Sequence, residues 1–310
     1  MKLISFVVPV YNEALSLNAF LTELQNAVTT LPYRFEVIFV DDGSIDKSWS
    51  ILKDCSLADR SKKELCIRAF KLSRNFGKEA AIRLGLEKAV GDGVIVIDAD
   101  LQQPPALIPE MLSVWQDQSV LIVECRKKSR ESQSGLRSFF NTLYFNLFKL
   151  CTGFTIRDTS DFKLLDRTVV DAMVKLPERS PFFRGLTLWL GFSRRTLEFD
   201  VPESVREQSQ WGFCSLARLS IESVVSFSAI PLYIIPISGV LFLFFALILG
   251  LNALYQWLSG VAIEGFTTVI LLLLIIGGLI LTALGIIGIY LAQIYNQSQA
   301  RPRYVIEAEL

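Results

Sequence analysis

Val94-Ile95-Val96-Ile97-Asp98-Ala99-Asp100-Leu101-Gln102 is the stretch on which the reading of this chain turns. Four β-branched residues in a row read as a short strand buried in a sheet. Two carboxylates follow, one residue apart. Carboxylates at the end of a buried strand are costly unless something neutralises them. A hard divalent cation does so naturally, because Mg²⁺ or Mn²⁺ takes oxygen ligands and bridges to substrate phosphates. The plain alternative is a surface turn that carries two acids. It fits less well directly after Val-Ile-Val-Ile, in a chain with no histidine to offer instead.

Outward from this point, short apolar runs alternate with amphipathic segments. Strands are expected at 3–8, 35–40, 66–72, 94–97 and 120–124, and helices at 14–29, 47–58, 78–90 and 105–115. This alternation predicts a doubly wound α/β domain with a mostly parallel sheet. Such sheets bind ligands at the carboxyl ends of their strands. Those ends carry Pro9-Val10-Tyr11-Asn12-Glu13, Asp41-Asp42-Gly43-Ser44, Ser73-Arg74-Asn75-Phe76-Gly77-Lys78-Glu79 and the Asp98-Ala99-Asp100 pair. All four meet along one edge. Asp41 and Asp42 serve either to cap the next helix or, beside a tight Gly43 turn, to bond a nucleoside. Neither GxGxxG nor a Walker A sequence is present, so a dinucleotide or P-loop reading fails.

Composition narrows the chemistry. The formal net charge of the 310 residues is zero, which gives no basic excess for nucleic acid. With no histidine, imidazole bases and His–metal sites are excluded, and acid–base or metal chemistry falls to carboxylates. Cys55, Cys66, Cys125, Cys151 and Cys214 form no CxxC pair and are odd in number, which suits a reducing compartment better than a disulfide framework. The apolar run at 3–10 is short and ends in turn residues, so it reads as a first strand and not as a signal peptide.

Charge is unevenly spread. Of the 31 Lys and Arg, only Arg301 and Arg303 lie beyond Pro231, and between Pro231 and Ala300 the sole formal charge is Glu264. Residues 232–254 and 266–292 are each long enough to cross a bilayer core of ~30 Å as a helix. Gly277, Gly278, Gly285 and Gly288 suit close helix packing, and Tyr255, Trp257, Tyr290 and Tyr295 suit the interfaces. The 256–265 loop has no Lys or Arg, whereas Arg206, Arg218, Arg301 and Arg303 flank the spans, so both ends are expected in the cytoplasm. Phe213, Leu216, Ala217, Ile221 and Val224 recur at helical spacing before the first span. They form either an amphipathic helix on the membrane surface or a helix packed on the soluble part. The expected organisation is a catalytic domain at 1–205, a juxtamembrane amphipathic region at 206–230, two spans within 231–300 and a cytoplasmic tail at 301–310.

Taken in order, PVYNE, VDDGS, SRNFGKE, DADLQ and SDFKLLDR resemble family 2 glycosyltransferases of the GT-A fold. With the two spans, the whole chain resembles the bactoprenol glucosyltransferases of O-antigen modification, relatives of the dolichyl-phosphate mannose synthases. The resemblance implies a multi-pass protein of the bacterial inner membrane with a cytoplasmic catalytic domain. It implies that Pro9, Tyr11, Glu13, Asp42, Lys78 and Asp98 bind the nucleotide sugar. Asp98, Asp100 and Gln102 would hold Mg²⁺ or Mn²⁺, and Asp161 and Asp100 would be catalytic. Arg126, Lys128 and Arg130 would meet the acceptor phosphate. A homo-oligomer and a flippase partner are compatible with it. Three positions depart from the family pattern: Gln103 stands for the last Asp of DLQDPP, Ser160 for the Gly of GDF, and Gln210 for the Lys of a Lys-Trp pair.

The reaction this implies moves a hexose, with glucose from UDP-glucose as the best match, onto polyprenyl (undecaprenyl) phosphate. A phosphate monoester has a second pKa of ~6 and is already a nucleophile, so no strong base is required. One displacement would invert the anomeric carbon. Asp161 either orients a substrate or serves structurally, as a helix cap or as the partner of Arg157, and Arg126–Arg130 is either a phosphate site or a solvated basic loop. Three other functions stand beside this one. A mannose or modified-arabinose synthase would use the same lipid. A processive polysaccharide synthase would show QxxRW and more spans. A membrane scaffold without activity would have a broken DxD.

Overall fold

The structure is a computed structural model of the chain that describes residues 1–59, 65–117, 119–127, 159–177, 182–199, 230–259, 265–299 and 301–310. The chain divides into two compact units: one carries the sheet together with residues 301–310, and the other carries the two long C-terminal helices.

The sheet grows from the four strands read first in the sequence: β1 (Leu3–Val10), β2 (Arg34–Asp41), β3 (Leu65–Leu72) and β4 (Gly93–Val96). β1 pairs in parallel with β2 and with β4, and β2 with β3. Successive residues of a strand face opposite sides, yet Phe6, Val7 and Val8 are all fully buried, as are Val94, Ile95 and Val96. Both faces are therefore covered, which is why these strands read as unbroken apolar runs. The covering helices are α1 (Leu17–Val28), α2 (Ser48–Asp59), α3 (Lys78–Lys88) and α4 (Ile108–Gln116), the last entered through a 3₁₀ turn at Pro105–Leu107. α1 buries Leu17, Phe20, Leu21, Leu24 and Val28, the single stripe of an amphipathic helix. α3 lies so close to β1 that a Cβ on Gly85 would stand 2.2 Å from a Val7 methyl.

The second half of the sheet is mixed. It contains β5 (Ile122–Lys127), β6 (Thr159–Asp166) and β7 (Arg194–Phe199), with α5 (Arg167–Lys175) and α6 (Phe183–Trp189) between the last two strands. β6 inserts between β4 and β5, antiparallel to both, and β7 runs parallel to β5. The strand expected at 120–124 thus lies two residues later, and β6 and β7 have no counterpart among the expected strands. The reason is visible in β6, Thr-Ser-Asp-Phe-Lys-Leu-Leu-Asp, whose charges break the apolar pattern. Its Lys163 is register partner to Glu124 of β5, so a buried ion pair takes the place of a hydrophobic one.

Residues 301–310, expected as a tail, instead supply the eighth strand, β8 (Ile306–Glu309), in the order β7-β5-β6-β4-β1-β2-β3-β8. β8 pairs antiparallel with β3. The exposed edge of β3 needs hydrogen-bond partners, and this segment provides them: Ser73 N–H donates to the Val305 carbonyl at 2.9 Å and Leu310 N–H to Ala69 at 2.9 Å. Lys71 meets Glu307 at 2.9 Å, Arg303 donates to the Leu176 carbonyl at 3.0 Å, and the Tyr304 hydroxyl donates to Glu87.

The other unit holds α7 (Ile230–Leu258) and α8 (Phe266–Ser298). Among the described residues these two helices are long and apolar enough to cross a membrane, over Leu232–Gln256 and Ile275–Ala292. They display Leu241, Phe244, Leu247, Leu281 and Leu284 outward, large apolar side chains of a kind that soluble monomers rarely expose together. The juxtamembrane region expected at 206–230 lies, except for Ile230, outside the described residues, as do Lys128 and Arg130.

Candidate active site

The parallel strands deliver their loops to one edge, and hydrogen bonds lace those loops together. After β1, Asn12 adopts a left-handed backbone with φ of 56°. Its N–H reaches Ser44 Oγ at 3.0 Å, and its side-chain oxygen accepts from Ile45 N–H at 3.0 Å. Glu13 N–H donates to Ser48 Oγ at 2.9 Å. The loops that carry Pro9, Tyr11 and Glu13 and those that carry Asp41–Ser44 are thereby fixed as one surface, from which Tyr11 projects half-exposed.

Asp42 is buried, and both its oxygens are engaged: Oδ1 accepts from Phe76 N–H at 2.7 Å and Oδ2 from Gly77 N–H at 2.8 Å. Its carboxylate thus holds the loop after β3 and, through it, the start of α3. Gly43 makes this approach feasible. Its φ is +69°, and a Cβ there would fall 2.5 Å from the Arg74 carbonyl carbon. Asp41 turns the other way, bonding Ser44 N–H at 2.9 Å, and burial pushes its carboxyl above the usual range.

Lys78, the first residue of α3, points back across the edge. Its ammonium lies 2.7 and 2.8 Å from the two Asp98 oxygens and 2.7 Å from Asp161 Oδ2. Burial opposes its charge, but Asp98 and Asp161 outweigh burial and raise its pKa. Asp161 comes from β6, a strand beside β4 in the sheet. On its far side Arg184 of α6 grips it with a two-pronged contact, Nε to Oδ1 at 2.7 Å and Nη2 to Oδ2 at 2.9 Å. Burial would push Asp161 up, yet the Arg184 hydrogen bonds and the charges of Lys78 and Arg184 hold its carboxyl well below the usual carboxylate range. Asp161 is therefore ionised at every physiological pH. Among the described residues its partners are Arg184 and Lys78, and Arg157, considered as a partner from the sequence, lies outside them.

Arg184, Glu79 and Lys163 were not singled out in the sequence. Glu79 accepts from Phe183 N–H at 2.9 Å, satisfying one of the free amides at the start of α6, and burial raises it to about 7. Lys163, 1% exposed, lies 3.1 Å from Glu124 and donates to Thr187 Oγ1 at 2.9 Å. Thr187 in turn donates to the Arg184 carbonyl, so this buried chain sets the position of α6 and with it Arg184. Arg126 on β5 keeps a buried Nε with no hydrogen-bond partner among the described residues.

Asp98 and Asp100 share one tight turn. Leu101 between Asp100 and Gln102 has φ of 59°, a left-handed conformation that a branched side chain rarely adopts. Gln102 N–H bonds Asp100 Oδ1 at 3.0 Å, and Gln103 bonds Asp98 twice. Burial pushes Asp98 above the usual range, opposed by Lys78 and reinforced by Asp161 and Asp100. Glu13 is likewise raised, first by burial and then by the charges of Asp100, Asp98 and Asp46. Carboxylates that crowd and raise one another are a donor set suited to a hard cation. Among the described residues no three His, Cys, Asp or Glu gather at ligand spacing. The chemistry of Asp98, Asp100 and Gln102, all oxygen donors on one turn, is compatible with a hard cation that also takes substrate oxygens.

A parallel sheet with an acidic turn after β4, and with an antiparallel strand bringing a further acid beside it, is the layout of a GT-A-type glycosyltransferase. The sequence model of glycosyl transferase family 2 matches residues 5–173, and the chain belongs to that family. It is 35% identical to an uncharacterized glycosyltransferase of Synechocystis sp. over 308 residues, covering 98% of this chain and 94% of that one. It is 31% identical to the bactoprenol glucosyl transferase of Shigella phage SfV over 308 residues, covering 99% and 98%. The fold is shared with glucosyl-3-phosphoglycerate synthase of Mycobacterium tuberculosis, solved with Mn²⁺ and uridine-diphosphate-glucose. The TM-score is 0.50 at 17% identity, over 72% of this chain and 77% of the other.

Proposed function

We propose that the protein transfers glucose from UDP-glucose to undecaprenyl phosphate at the cytoplasmic face of the bacterial inner membrane, inverting the anomeric carbon. One observation carries the reading. The similarity to a bactoprenol glucosyl transferase covers 99% of this chain, α7 and α8 included. A sugar transferase acting on soluble acceptors has no need of two apolar helices after its catalytic unit, whereas a lipid acceptor gives them a purpose.

Asp98, Asp100 and Gln102 would hold Mg²⁺ or Mn²⁺, which when bound offsets the charge that builds on the departing nucleoside diphosphate. Lys78, already 2.7 Å from Asp98, supplies a second cation beside the same leaving group. The nucleophile is a phosphate oxygen of the lipid. It forms a bond to the anomeric carbon as the carbon–oxygen bond to the diphosphate breaks, and the electron pair leaves with UDP. No proton has to be removed. Asp161, ionised and doubly paired, orients the acceptor or the sugar instead of acting as a base. Pro9, Tyr11 and Glu13 line the nucleoside side of this edge. Asp42 supports that side by fixing the loop that carries Lys78. Arg126 receives the acceptor phosphate, in keeping with its uncommitted Nε.

The test is transfer of radiolabelled sugar from a panel of nucleotide sugars to undecaprenyl phosphate by the detergent-purified protein. Label from UDP-glucose should enter the lipid with Mg²⁺ or Mn²⁺ and not in excess EDTA. Transfer from no donor would overturn the reading, and transfer only from another donor would replace the sugar. For the membrane face, a cysteine at Ser259 in a chain freed of its native cysteines should react with impermeant reagent outside intact cells. Labelling only after lysis would reverse the orientation.

A further inference from the structure

Gln103 is among the most constrained residues of the site. Its side-chain oxygen accepts from the Asp98 backbone N–H at 2.8 Å, and its Nε2 donates to Asp98 Oδ2 at 2.7 Å. The two contacts fix the amide's orientation without ambiguity: an N–H must face the oxygen, which leaves the NH₂ for the carboxylate. Gln103 is 7% exposed. Behind it stand Pro104, with φ of −71°, and buried Pro105, and neither has an N–H or a free φ. On the other side Ile97 is tied into the sheet, its N–H bonding Val7 at 3.1 Å.

Lys78, the other partner of Asp98, is of a different kind. Its side chain is 42% exposed and ends in a flexible stem, so it exchanges partners readily. Gln103 is rigid, neutral and buried. Asp98 Oδ2 carries both Gln103 and Lys78, whereas Oδ1 meets Lys78 alone among the described residues.

We infer that Gln103 is a positioning residue for the divalent ion: by its bonds to the Asp98 N–H and Oδ2 it holds the carboxylate in one orientation, in which Asp98 would meet the ion. This rests on the proposed role of Asp98 as a metal ligand. Partners that orient a ligand in this way are typically worth about 10- to 100-fold in metal affinity. Gln103→Met keeps the length and apolar packing of the side chain and removes both hydrogen bonds.

The experiment is Mn²⁺ titration of full-length protein in detergent, followed by the electron paramagnetic resonance signal of free Mn²⁺, without donor. Gln103→Met should weaken binding about 10- to 100-fold, and the Mn²⁺ concentration needed for half-maximal transfer should rise in parallel, with turnover at saturating Mn²⁺ changed far less. Because the effect runs through Asp98, Gln103→Met should cost little more in an Asp98→Asn background. If the Met variant does not fold, Gln103→Asn decides. Its amide is one methylene short of reaching both groups, and it too should weaken Mn²⁺. Unchanged Mn²⁺ binding in a folded variant, or full additivity with Asp98→Asn, overturns the inference and leaves Gln103 a loop brace. The underlying metal reading fails separately: the wild-type protein would then bind no Mn²⁺, or Asp98→Asn would bind it as well as wild type.

Discussion

Arg184 offers the sharpest perturbation of the site. It donates to Asp161 at 2.7 and 2.9 Å, and its removal leaves Lys78, at 2.7 Å, as the only cation on that carboxylate among the described residues. Each hydrogen bond to a charged group is worth ~1.5–3 kcal/mol when buried. The Arg184 side chain is 38% exposed, so water recovers part of that in the variant, and ~2–3 kcal/mol for the pair is the reasonable figure. If Asp161 must stay fixed to align the substrates, Arg184→Leu lowers turnover ~30- to 150-fold, at 1.36 kcal/mol per factor of ten. Arg184→Lys restores charge without the planar fork and should recover only part of the loss. The assay is radiolabel transfer at saturating donor and acceptor. Stability gives a second readout, with a definite sign. The folded pKa of Asp161 is depressed, so its pairing stabilises the protein above the ordinary value of 3.8 and is lost only as pH falls through the depressed value. The wild-type advantage over Arg184→Leu should therefore be full at neutral pH and shrink in acid below about 4. A folded Arg184→Leu enzyme with turnover within about threefold of wild type would refute the reasoning and leave Lys78 sufficient for Asp161.

Lys163→Met strands Glu124 without its cation in the core and should destabilise by ~3–5 kcal/mol, while Lys163→Met with Glu124→Leu recovers most of it; thermal unfolding in detergent distinguishes the two. Deleting residues 304–310 removes β8 and bares the edge of β3, which should lower the unfolding temperature by ~5–10 °C and promote aggregation through that edge, visible by light scattering. Glu79 has a folded pKa raised from 4.5 to about 7, so its contribution is favourable below 4.5 and is lost as pH rises through 7. Glu79→Gln should therefore gain stability relative to wild type across that window, and a flat difference in unfolding temperature between pH 5 and 8 would contradict the burial argument.

The parallel half of the fold was legible because burial on both faces forces apolar strands, and the turns after them stand out by contrast. β6 was not legible, because Asp161 and Lys163 break its pattern and are tolerated only against Arg184, Lys78 and Glu124, partners remote in sequence. β8 escaped for a related reason. Its Glu307 and Glu309 read as a solvated tail until Lys71 and Arg68 are seen beside them. The acids at strand ends were readable one by one, but their counter-ions were not. Arg184 is a lone arginine with no motif around it. Asp42 carried a turn signature that suited either a ligand or a structural role, and only the Phe76 and Gly77 amides show how much of its carboxylate the second consumes.

The balance of charge at this edge makes a further demand on the chemistry. Glu13, Asp98, Asp100 and Asp161 influence one another electrostatically, and against them stand Lys78 and Arg184. Four acids and two bases leave a net charge near minus two. A nucleoside diphosphate arrives with negative charge of its own and meets repulsion unless a divalent ion comes with it. If the ion enters with the donor as proposed, it is expected to matter for donor binding itself, beyond any part in the chemical step. Lys78 carries a single positive charge and already faces Asp98 and Asp161, so it offsets only part of this excess. Coupling free energies between two ligands of one site are typically ~1–3 kcal/mol, so Mn²⁺ should tighten UDP binding at least ~5- to 150-fold, and UDP should tighten Mn²⁺ by the same factor. Calorimetric titration of UDP into the detergent-purified protein, with Mn²⁺ and with EDTA, measures the first factor, and the second follows by linkage. Asp100→Asn, which removes one unit of negative charge, should raise the metal-free affinity for UDP while lowering the affinity with metal. Equal UDP affinity with and without Mn²⁺ would show that the carboxylates do not set the field the diphosphate meets.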